Sequence, residues 1–335
     1  MERIILLKTQ LAEAAKFANA ADTAHQRLAI ILLDNFVEIQ LSALMRKKFS
    51  HEDVFTSKPK QYAYAQRVKI LHNYDDLLKA AVTEKLITPA DQKALTFCHE
   101  VRNRAYHIAA GEHAVIAIAI AFLQQIVMSY QPQWRSGRDF MSGNFKTVDP
   151  FAIGPASPWG LGANDEKEWS AFLDKYFIAG SSGDPAAGMI ADYLSGKVRQ
   201  AADWYNYFRD EYSVYAPDTK DWQLNDFVKL YSFFERYDFE LKVLKEESSS
   251  HVYNQGYAKL MARHVAGWKF IRQDRLATLE EKFKAITRIP AHQALEKYVS
   301  HRSEIELLHS ALGRAASAFD QRVEESIEYM REMRR

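Results

Sequence analysis

Apolar residues recur at intervals of three and four along most of the chain, which is the spacing that places them on one face of an α-helix. In the N-terminal part this pattern predicts helices over residues 2–20, 22–48, 61–80, 88–107 and 112–130. Residues 49–59 are polar and are predicted to form a loop. Glycine (13) and proline (9) are scarce, which favours long helices over many-turned β-structure. The sequence therefore predicts an all-α protein whose first 130 residues form a helical bundle.

Helix-breaking residues are concentrated between residues 131 and 165. The glycines and prolines in this stretch are Pro132, Gly137, Gly143, Pro150, Gly154, Pro155, Pro158, Gly160 and Gly162. Such a concentration is typical of a linker or of a long excursion between domains. It divides the chain into a bundle over residues 1–130, a Pro/Gly-rich linker over 131–165 and a second, long-helix α domain over 166–335.

The second domain is rich in aromatic residues and ends in a long amphipathic stretch. The aromatic side chains lie mainly in residues 186–214 and in a helix predicted to begin at Asp221. Packing between long helices explains them better than a base-stacking surface does. Over residues 291–335 a near-heptad apolar stripe extends from Leu295 to Ile327. That stripe fits a helical hairpin arm, a dimerisation helix or a terminal helix packed into a core.

Composition and missing motifs restrict the chemistry that the sequence predicts. Cys98 is the single cysteine, which excludes an internal disulfide or a multi-cysteine zinc site and fits a reducing cytoplasm. The sequence has no zinc-protease motif, Walker-type phosphate loop or dinucleotide fingerprint, so we expect neither a metal nor a cofactor. The apolar run at the start is too short for a signal peptide. Residues 114–123 are about half the length of a bilayer span, so we expect a core helix and no membrane contact.

Basic residues are concentrated locally, although the net charge of the chain is only +1. Residues 46–69 contain seven lysines and arginines against two acidic residues. Such an excess can attract a phosphate backbone. A solvated loop with scattered lysines is the alternative interpretation. The candidate RNA-binding residues are Arg46, Lys47, Lys48 and Arg104.

The segment from Arg102 to His107 combines the groups that phosphodiester chemistry needs. Arg102 carries a permanent cation whose planar fork matches phosphate oxygens. Asn103 adds an amide, and His107 has a side chain that titrates near neutrality. An arginine and a histidine together can bind a phosphodiester and move a proton without a metal.

This pattern resembles the motif of the HEPN family of small helical domains. That motif is an arginine, usually followed by a polar residue, and a histidine after four to six intervening positions; Arg102, Asn103 and His107 fill those three places. The resemblance covers about residues 1–130. It implies a helical bundle that forms a homodimer with two motifs set against each other. Many members are metal-independent endoribonucleases of toxin, abortive-infection and antiviral defence systems, and others are inactive binding or regulatory modules.

The spacing by itself is weakly specific, because three other pairs in the chain also match it. They are Arg46 with His51, Arg67 with His72 and Arg302 with His309. Three features favour Arg102: the asparagine that follows it, its place late in the N-terminal helical region, and the apolar run 114–123 that comes next. We therefore take Arg102, Asn103 and His107 as the candidate catalytic residues.

Helical geometry sets a condition on this motif. Arg102 and His107 are five residues apart, or about 140° around the axis of an ideal helix, so they do not share a face. Asn103 and His107 are four apart and do share one. Either Arg102 reaches around the helix, the helix is irregular there, or a second chain completes the site.

The resemblance implies RNA cleavage by internal transesterification, in which the ribose 2′-hydroxyl attacks its own phosphate. Arg102 would stabilise the charge on the phosphorane oxygens, His107 would transfer a proton, and Asn103 would orient His107 or the phosphate. The products would be a 2′,3′-cyclic phosphate and a 5′-hydroxyl, and DNA would not be cut. Ala109 stands where members silenced by a nucleotidyltransferase often carry tyrosine; a toxin paired with such a partner is therefore less supported, and a regulatory protein of unspecified kind is the candidate partner.

A non-catalytic helical module is the second hypothesis. In it Arg102 and His107 cap helix carbonyls, or the motif binds RNA, a nucleotide or a protein partner. A catalytic pair must line a cleft or a symmetric interface, whereas caps are tied to backbone carbonyls, so exposure separates the two hypotheses. Asp34 and Glu38 on the second helix could orient the motif, although a solvated surface is their more expected place.

Overall fold

The computed structural model describes residues 2–20, 22–55, 60–107, 113–129, 150–151, 165–177, 185–215, 259, 263 and 275–333. All regular elements in these ranges are helical, so the predicted all-α class is confirmed. In chain order they are α1 (Glu2–Ala18), α2 (Thr23–Phe55), α3 (Tyr64–His72), α4 (Tyr74–Thr83), α5 (Pro89–His107), α6 (His113–Ser129), α7 (Asp165–Tyr176), α8 (Pro185–Tyr215), α9 (Leu276–Lys284) and α10 (Ala291–Met333). A 3₁₀ turn, Ala285–Arg288, follows α9.

Local hydrogen bonds fix where two of the central helices begin. Asp22 caps α2, because its Oδ1 accepts a hydrogen bond from the His25 N–H at 3.0 Å. At α5, Thr88 Oγ1 accepts a hydrogen bond from the Asp91 N–H at 3.1 Å, and Asp91 Oδ2 accepts one from the Thr88 N–H at 2.9 Å. This reciprocal pair is a capping box, with Pro89 as the first helical residue. Both starts agree with the sequence prediction.

Two helix boundaries differ from the prediction. The expected loop over residues 49–59 is helical as far as Phe55, because Phe49 is buried under the Arg67 guanidinium, whose carbon lies 4.9 Å from the ring centre. The expected helix over 61–80 is two helices, because Asn73 has extended backbone and its side chain accepts a hydrogen bond from the Asp76 N–H at 3.0 Å. Asn73 thus ends α3 and caps α4.

Helix α2 is the centre of the first compact unit, Met1–Met189, and packs against α1, α4, α5 and α6. Tyr74 lies beside Asp34 and Glu84 lies beside Lys48, so α4 runs parallel to α2. After α4 the chain reverses at Lys85, a non-glycine residue with φ of 59°. The Leu86 N–H donates to the Ala81 carbonyl at 2.8 Å in a Schellman turn. The reversal lets α5 run back along α2.

The most apolar helices of this unit are core helices. Helix α6 buries most of its side chains, as predicted for residues 114–123. Residues Thr23–Val54 form the one helix, among those described, that is long and apolar enough to cross a membrane. This helix carries Asp34, which is completely buried, and neighbouring helices pack around α2. We therefore interpret α2 as the core helix of the unit.

The first unit extends beyond the predicted bundle of residues 1–130. Helix α7 adds Trp169 and Phe172, both buried. The Trp169 ring stacks on Phe36 with 6.2 Å between the ring centres, and Phe172 lies 5.7 Å from the Lys8 ammonium. The boundary between the two compact units falls after Met189, inside α8, whereas the sequence placed it at 131–165. Of that stretch the structure describes only residues 150, 151 and 165.

In the second unit, Ile190–Arg335, α8 packs against α10. Tyr193 and Tyr298 meet edge to face with 5.7 Å between the ring centres. The small Gly313 leaves room for Trp204, whose ring lies 3.0 Å from where a Cβ would stand. The buried residues of the predicted stripe in α10 are Leu295, Ile305, Leu308, Leu312, Ala316 and Phe319. Up to Phe319, α10 is thus a core-packed helix; the helix predicted from Asp221 lies outside the described residues.

Candidate functional site

Asp34 is the centre of a polar cluster inside the first unit. Its side chain is 0% exposed, and a buried carboxylate is unfavourable unless neighbours compensate its charge. The Tyr74 hydroxyl donates a hydrogen bond to Oδ1 at 3.3 Å, and His99 Nδ1 lies 2.8 Å from Oδ2. The Arg102 Nε lies 3.6 Å from the same Oδ2. We call Asp34, Tyr74, His99, Arg102 and Asn103 the Asp34 cluster.

Helix α5 is oriented about its axis so that three of its polar residues face Asp34. His99, Arg102 and Asn103 are three and four residues apart and therefore lie on one side of the helix. Around them α5 buries the apolar side chains of Leu95, Cys98, Val101 and Ala105. Burial of these side chains fixes the helix about its axis. Core packing thus places an imidazole, a guanidinium and an amide together.

Arg102 is held by side chains. Its Nη1 donates a hydrogen bond to Asn103 Oδ1 at 2.8 Å. At 3.6 Å the contact of its Nε with Asp34 is an ion pair without a hydrogen bond. A quarter of the side chain (25%) remains exposed. Arg102 is thus placed differently from a helix cap, which would be tied to backbone carbonyls.

His99 is a member of the cluster that the sequence did not single out. Its ring stacks on Tyr74 with 3.9 Å between the ring centres and 15° between the planes. Because Nδ1 points at the Asp34 carboxylate, Nδ1 is the nitrogen that donates a hydrogen, and Nε2 keeps its lone pair in the neutral ring. The side chain is 21% exposed. His99 is therefore an oriented imidazole that solvent can reach.

His107, the candidate catalytic histidine, is the last residue of α5. Its side chain lies outside the described part of the chain, as do residues 108–112. The backbone is helical up to this residue, five positions after Arg102. His113, at the start of α6, is exposed, and its Nδ1 lies 3.2 Å from Thr23 Oγ1.

The candidate RNA-binding residues are separated within one chain. Arg46 and Lys47 are exposed on α2, but they lie twelve or more residues beyond Asp34, which is about 18 Å along the helix axis. Lys48 forms an ion pair with Glu84. Arg104 is exposed on α5, two residues from Arg102. Two residues correspond to about 200° around the helix axis, so Arg104 projects on a different side of α5 from Arg102.

Much of the positive charge in residues 46–69 is neutralised by ion pairs. Arg67 is buried; its Nη2 lies 2.7 Å from Glu52 and its Nη1 lies 3.0 Å from Asp53. Lys60 lies 2.5 Å from Asp53, and its hydrogen bond, with that of Arg67, lowers the pKa of the Asp53 carboxyl. This pattern supports the alternative interpretation, a surface with scattered lysines.

Burial raises the pKa of two neutral groups beside Asp34. The pKa of Tyr74 lies well above its ordinary value of 10.0, first because the phenol is buried and then because the Asp34 charge opposes its ionisation. Burial, and after it the same charge, raises the pKa of the Cys98 thiol above its ordinary value of 9.0. Both groups remain protonated in the folded protein at alkaline pH.

A Tyr74→Phe variant is expected to be less sensitive to alkali than the unaltered protein. At pH 7 it loses about 1 kcal/mol with the hydrogen bond to Asp34. Above pH 10 the unfolded Tyr74 ionises while the folded one does not, so stability falls by up to about 1.4 kcal/mol per pH unit, and phenylalanine avoids this loss. Urea unfolding at pH 7 to 11 measures the free energy of unfolding of both proteins. If their difference in this free energy stays constant over the range, the raised pKa of Tyr74 is contradicted.

Among the described residues no three or more His, Cys, Asp or Glu side chains are placed to hold a metal ion. The chain matches no protein-family model, no curated protein and no solved structure. The HEPN resemblance therefore rests on Arg102, Asn103 and His107 and on the helical surroundings of these residues.

Proposed function

We propose that this chain is a metal-independent endoribonuclease of HEPN type that cleaves RNA by transesterification. The observation that supports it is the setting of Arg102. Its guanidinium is fixed on a packed helix by Asn103 and Asp34 while part of the side chain faces solvent. A cation that is already in place can stabilise the charge that grows on a phosphorane without reorganising.

In the proposed reaction RNA binds with a phosphate at Arg102. Arg102 stabilises the phosphorane oxygens, Asn103 holds Arg102, and His107 transfers a proton. Arg104, which is exposed on another side of α5, binds a more distant part of the RNA backbone. A second copy of residues 1–130 sets its own motif opposite, and the protein works in the cytoplasm in a defence or toxin setting with a protein regulator.

The proposal is tested by incubating the purified protein with mixed RNA in EDTA and identifying the cleaved ends. We expect 2′,3′-cyclic phosphate and 5′-hydroxyl ends. Arg102→Lys keeps the charge but loses the planar fork, and we expect it to lower the rate about 10²–10³-fold. We expect His107→Ala to lower it about 10²–10⁴-fold. Lys79→Ala, which removes an exposed cation from α4, is the control and should leave the rate unchanged.

A non-catalytic helical module is the second candidate, and the burial of Asp34 is the observation that favours it. A completely buried carboxylate that is contacted from two helices gives Arg102 and His99 a role in stability. If no RNA is cut in EDTA and Arg102→Lys only lowers the free energy of unfolding, this second candidate replaces the first.

A further inference from the structure

Transesterification of RNA requires two proton transfers. One proton leaves the 2′-hydroxyl as its oxygen attacks phosphorus, and another reaches the 5′-oxygen as it departs. His107 supplies one imidazole, and its position on an ideal helix is about 140° around the axis from that of Arg102. A second proton carrier on the same face as Arg102 would supply the other transfer.

We propose that His99 is the general base of this reaction, oriented by Asp34. This inference rests on the proposed function, and it adds a catalytic residue that the Arg102–His107 motif does not contain.

The contacts of Asp34 place His99 and Arg102 side by side. His99 Nδ1 and Arg102 Nε lie 2.8 and 3.6 Å from the same oxygen, Asp34 Oδ2. The ends of the two side chains are therefore neighbours, and a phosphate bound by the guanidinium lies near the imidazole. His99 turns its Nδ1 edge to a carboxylate that is 0% exposed. The side chain is 21% exposed, and Nε2 lies on the edge of the ring opposite the carboxylate.

The other neighbours of His99 are arranged as a general base requires. Tyr74 stacks on the ring and fixes its plane. The titratable groups that contact His99 are Asp34 on α2 and Tyr74 on α4, Arg102 faces the same Asp34 oxygen, and Glu38 and Cys98 act on Tyr74. Asp34 stabilises the imidazolium that forms when His99 accepts a proton, as the buried carboxylate does in a catalytic triad. Tyr74 and Cys98 stay neutral, because burial raises the pKa of both groups.

In the step itself, His99 Nε2 takes the proton of the 2′-hydroxyl. The 2′-oxygen forms a bond to phosphorus, and the bond from phosphorus to the 5′-oxygen breaks. The departing 5′-oxygen receives a proton from His107. The products are a 2′,3′-cyclic phosphate and a 5′-hydroxyl, with no other reactant.

The roles of His99 as base and His107 as acid can be distinguished with a substrate whose leaving group departs without being protonated. Uridine 3′-(4-nitrophenyl phosphate) releases nitrophenolate, which departs without a proton but still requires removal of the 2′-proton. On this substrate we expect His107→Ala to keep a rate within about threefold of the unaltered protein. We expect His99→Asn to lose about 10²–10⁴-fold. On RNA both variants should be impaired.

His99→Asn is chosen because its amide can still donate a hydrogen bond to Asp34 while it cannot accept the proton. His72→Asn, an exposed histidine on α3, is the matched control. A full rate for His99→Asn on that substrate overturns the inference and leaves the nuclease proposal standing. No cleavage of either substrate by the unaltered protein overturns both.

If His99→Asn does not fold, the role of His99 can still be tested on the unaltered protein. In ¹⁵N spectra of its histidines, neutral His99 is expected to carry the hydrogen on Nδ1, with a bare Nε2 that shifts when uridine 3′-phosphate is added. A hydrogen on Nε2, or no shift at millimolar nucleotide, overturns the inference.

Discussion

Replacing Asp34 with alanine is expected to lower the free energy of unfolding by about 3–5 kcal/mol. The substitution removes the anion that Arg102 and His99 both face, and it leaves the partly buried Arg102 cation without compensation and His99 Nδ1 without its hydrogen-bond partner. It also removes the acceptor for the Tyr74 hydroxyl, which is then buried without its partner. Urea unfolding followed by circular dichroism at pH 7 measures the loss.

Glu100→Ala is the control for this prediction, because Glu100 is an exposed acid on α5. A surface substitution of this kind should change stability by less than about 0.5 kcal/mol. Asp34→Asn keeps the shape of the side chain, and its free energy of unfolding should lie between those of Asp34→Ala and Glu100→Ala. If Asp34→Ala unfolds at the same urea concentration as Glu100→Ala, Asp34 does not hold the cluster together.

The second large effect is expected from Trp169→Ala, which should lower the free energy of unfolding by about 3–5 kcal/mol. Trp169 is 2% exposed and packs between Phe36 of α2 and Phe172 of α7, with 6.2 and 5.6 Å between the ring centres. Its removal leaves a cavity against the central helix. The loss should appear in the unfolding of the first unit, measured by urea unfolding followed by near-UV circular dichroism.

Asp174→Ala, an exposed residue on the same helix, is the matched control and should be nearly neutral. The Trp169 prediction also tests the domain organisation. If residues 1–130 form a complete bundle and α7 is only attached to it, Trp169→Ala should cost less than about 1 kcal/mol. A loss of the expected size makes α7 part of the first core.

The helices were predictable where their signals are local. Asp22 and the Thr88–Asp91 pair cap α2 and α5 through side chains within three residues of the helix start, so the sequence alone contains the information. The extension of α2 to Phe55 depends instead on Arg67, which lies far along the chain and binds Glu52 and Asp53. The place of α7 depends in the same way on the contact between Trp169 and Phe36.

The candidate site was predictable only in part, for a related reason. Arg102 and Asn103 stand in a motif of consecutive residues, and their contact needs only one helix. The roles of Asp34 and His99 require knowing how α2 and α5 are rotated toward each other. One signal was present: Asp34 continues the stripe of Ile30 and Leu33, which the structure shows buried, so its expected place on a solvated surface was wrong.

The measurement that tests the central claim most directly uses two RNA oligonucleotides of the same sequence, assayed with the unaltered protein in EDTA. One is all ribose, and the other carries a single 2′-deoxynucleotide on the 5′ side of the cleaved bond. Attack by the 2′-hydroxyl predicts that cleavage at that bond disappears in the second oligonucleotide while other bonds are still cut. Continued cleavage there would contradict the transesterification on which the roles of Arg102, His99 and His107 depend.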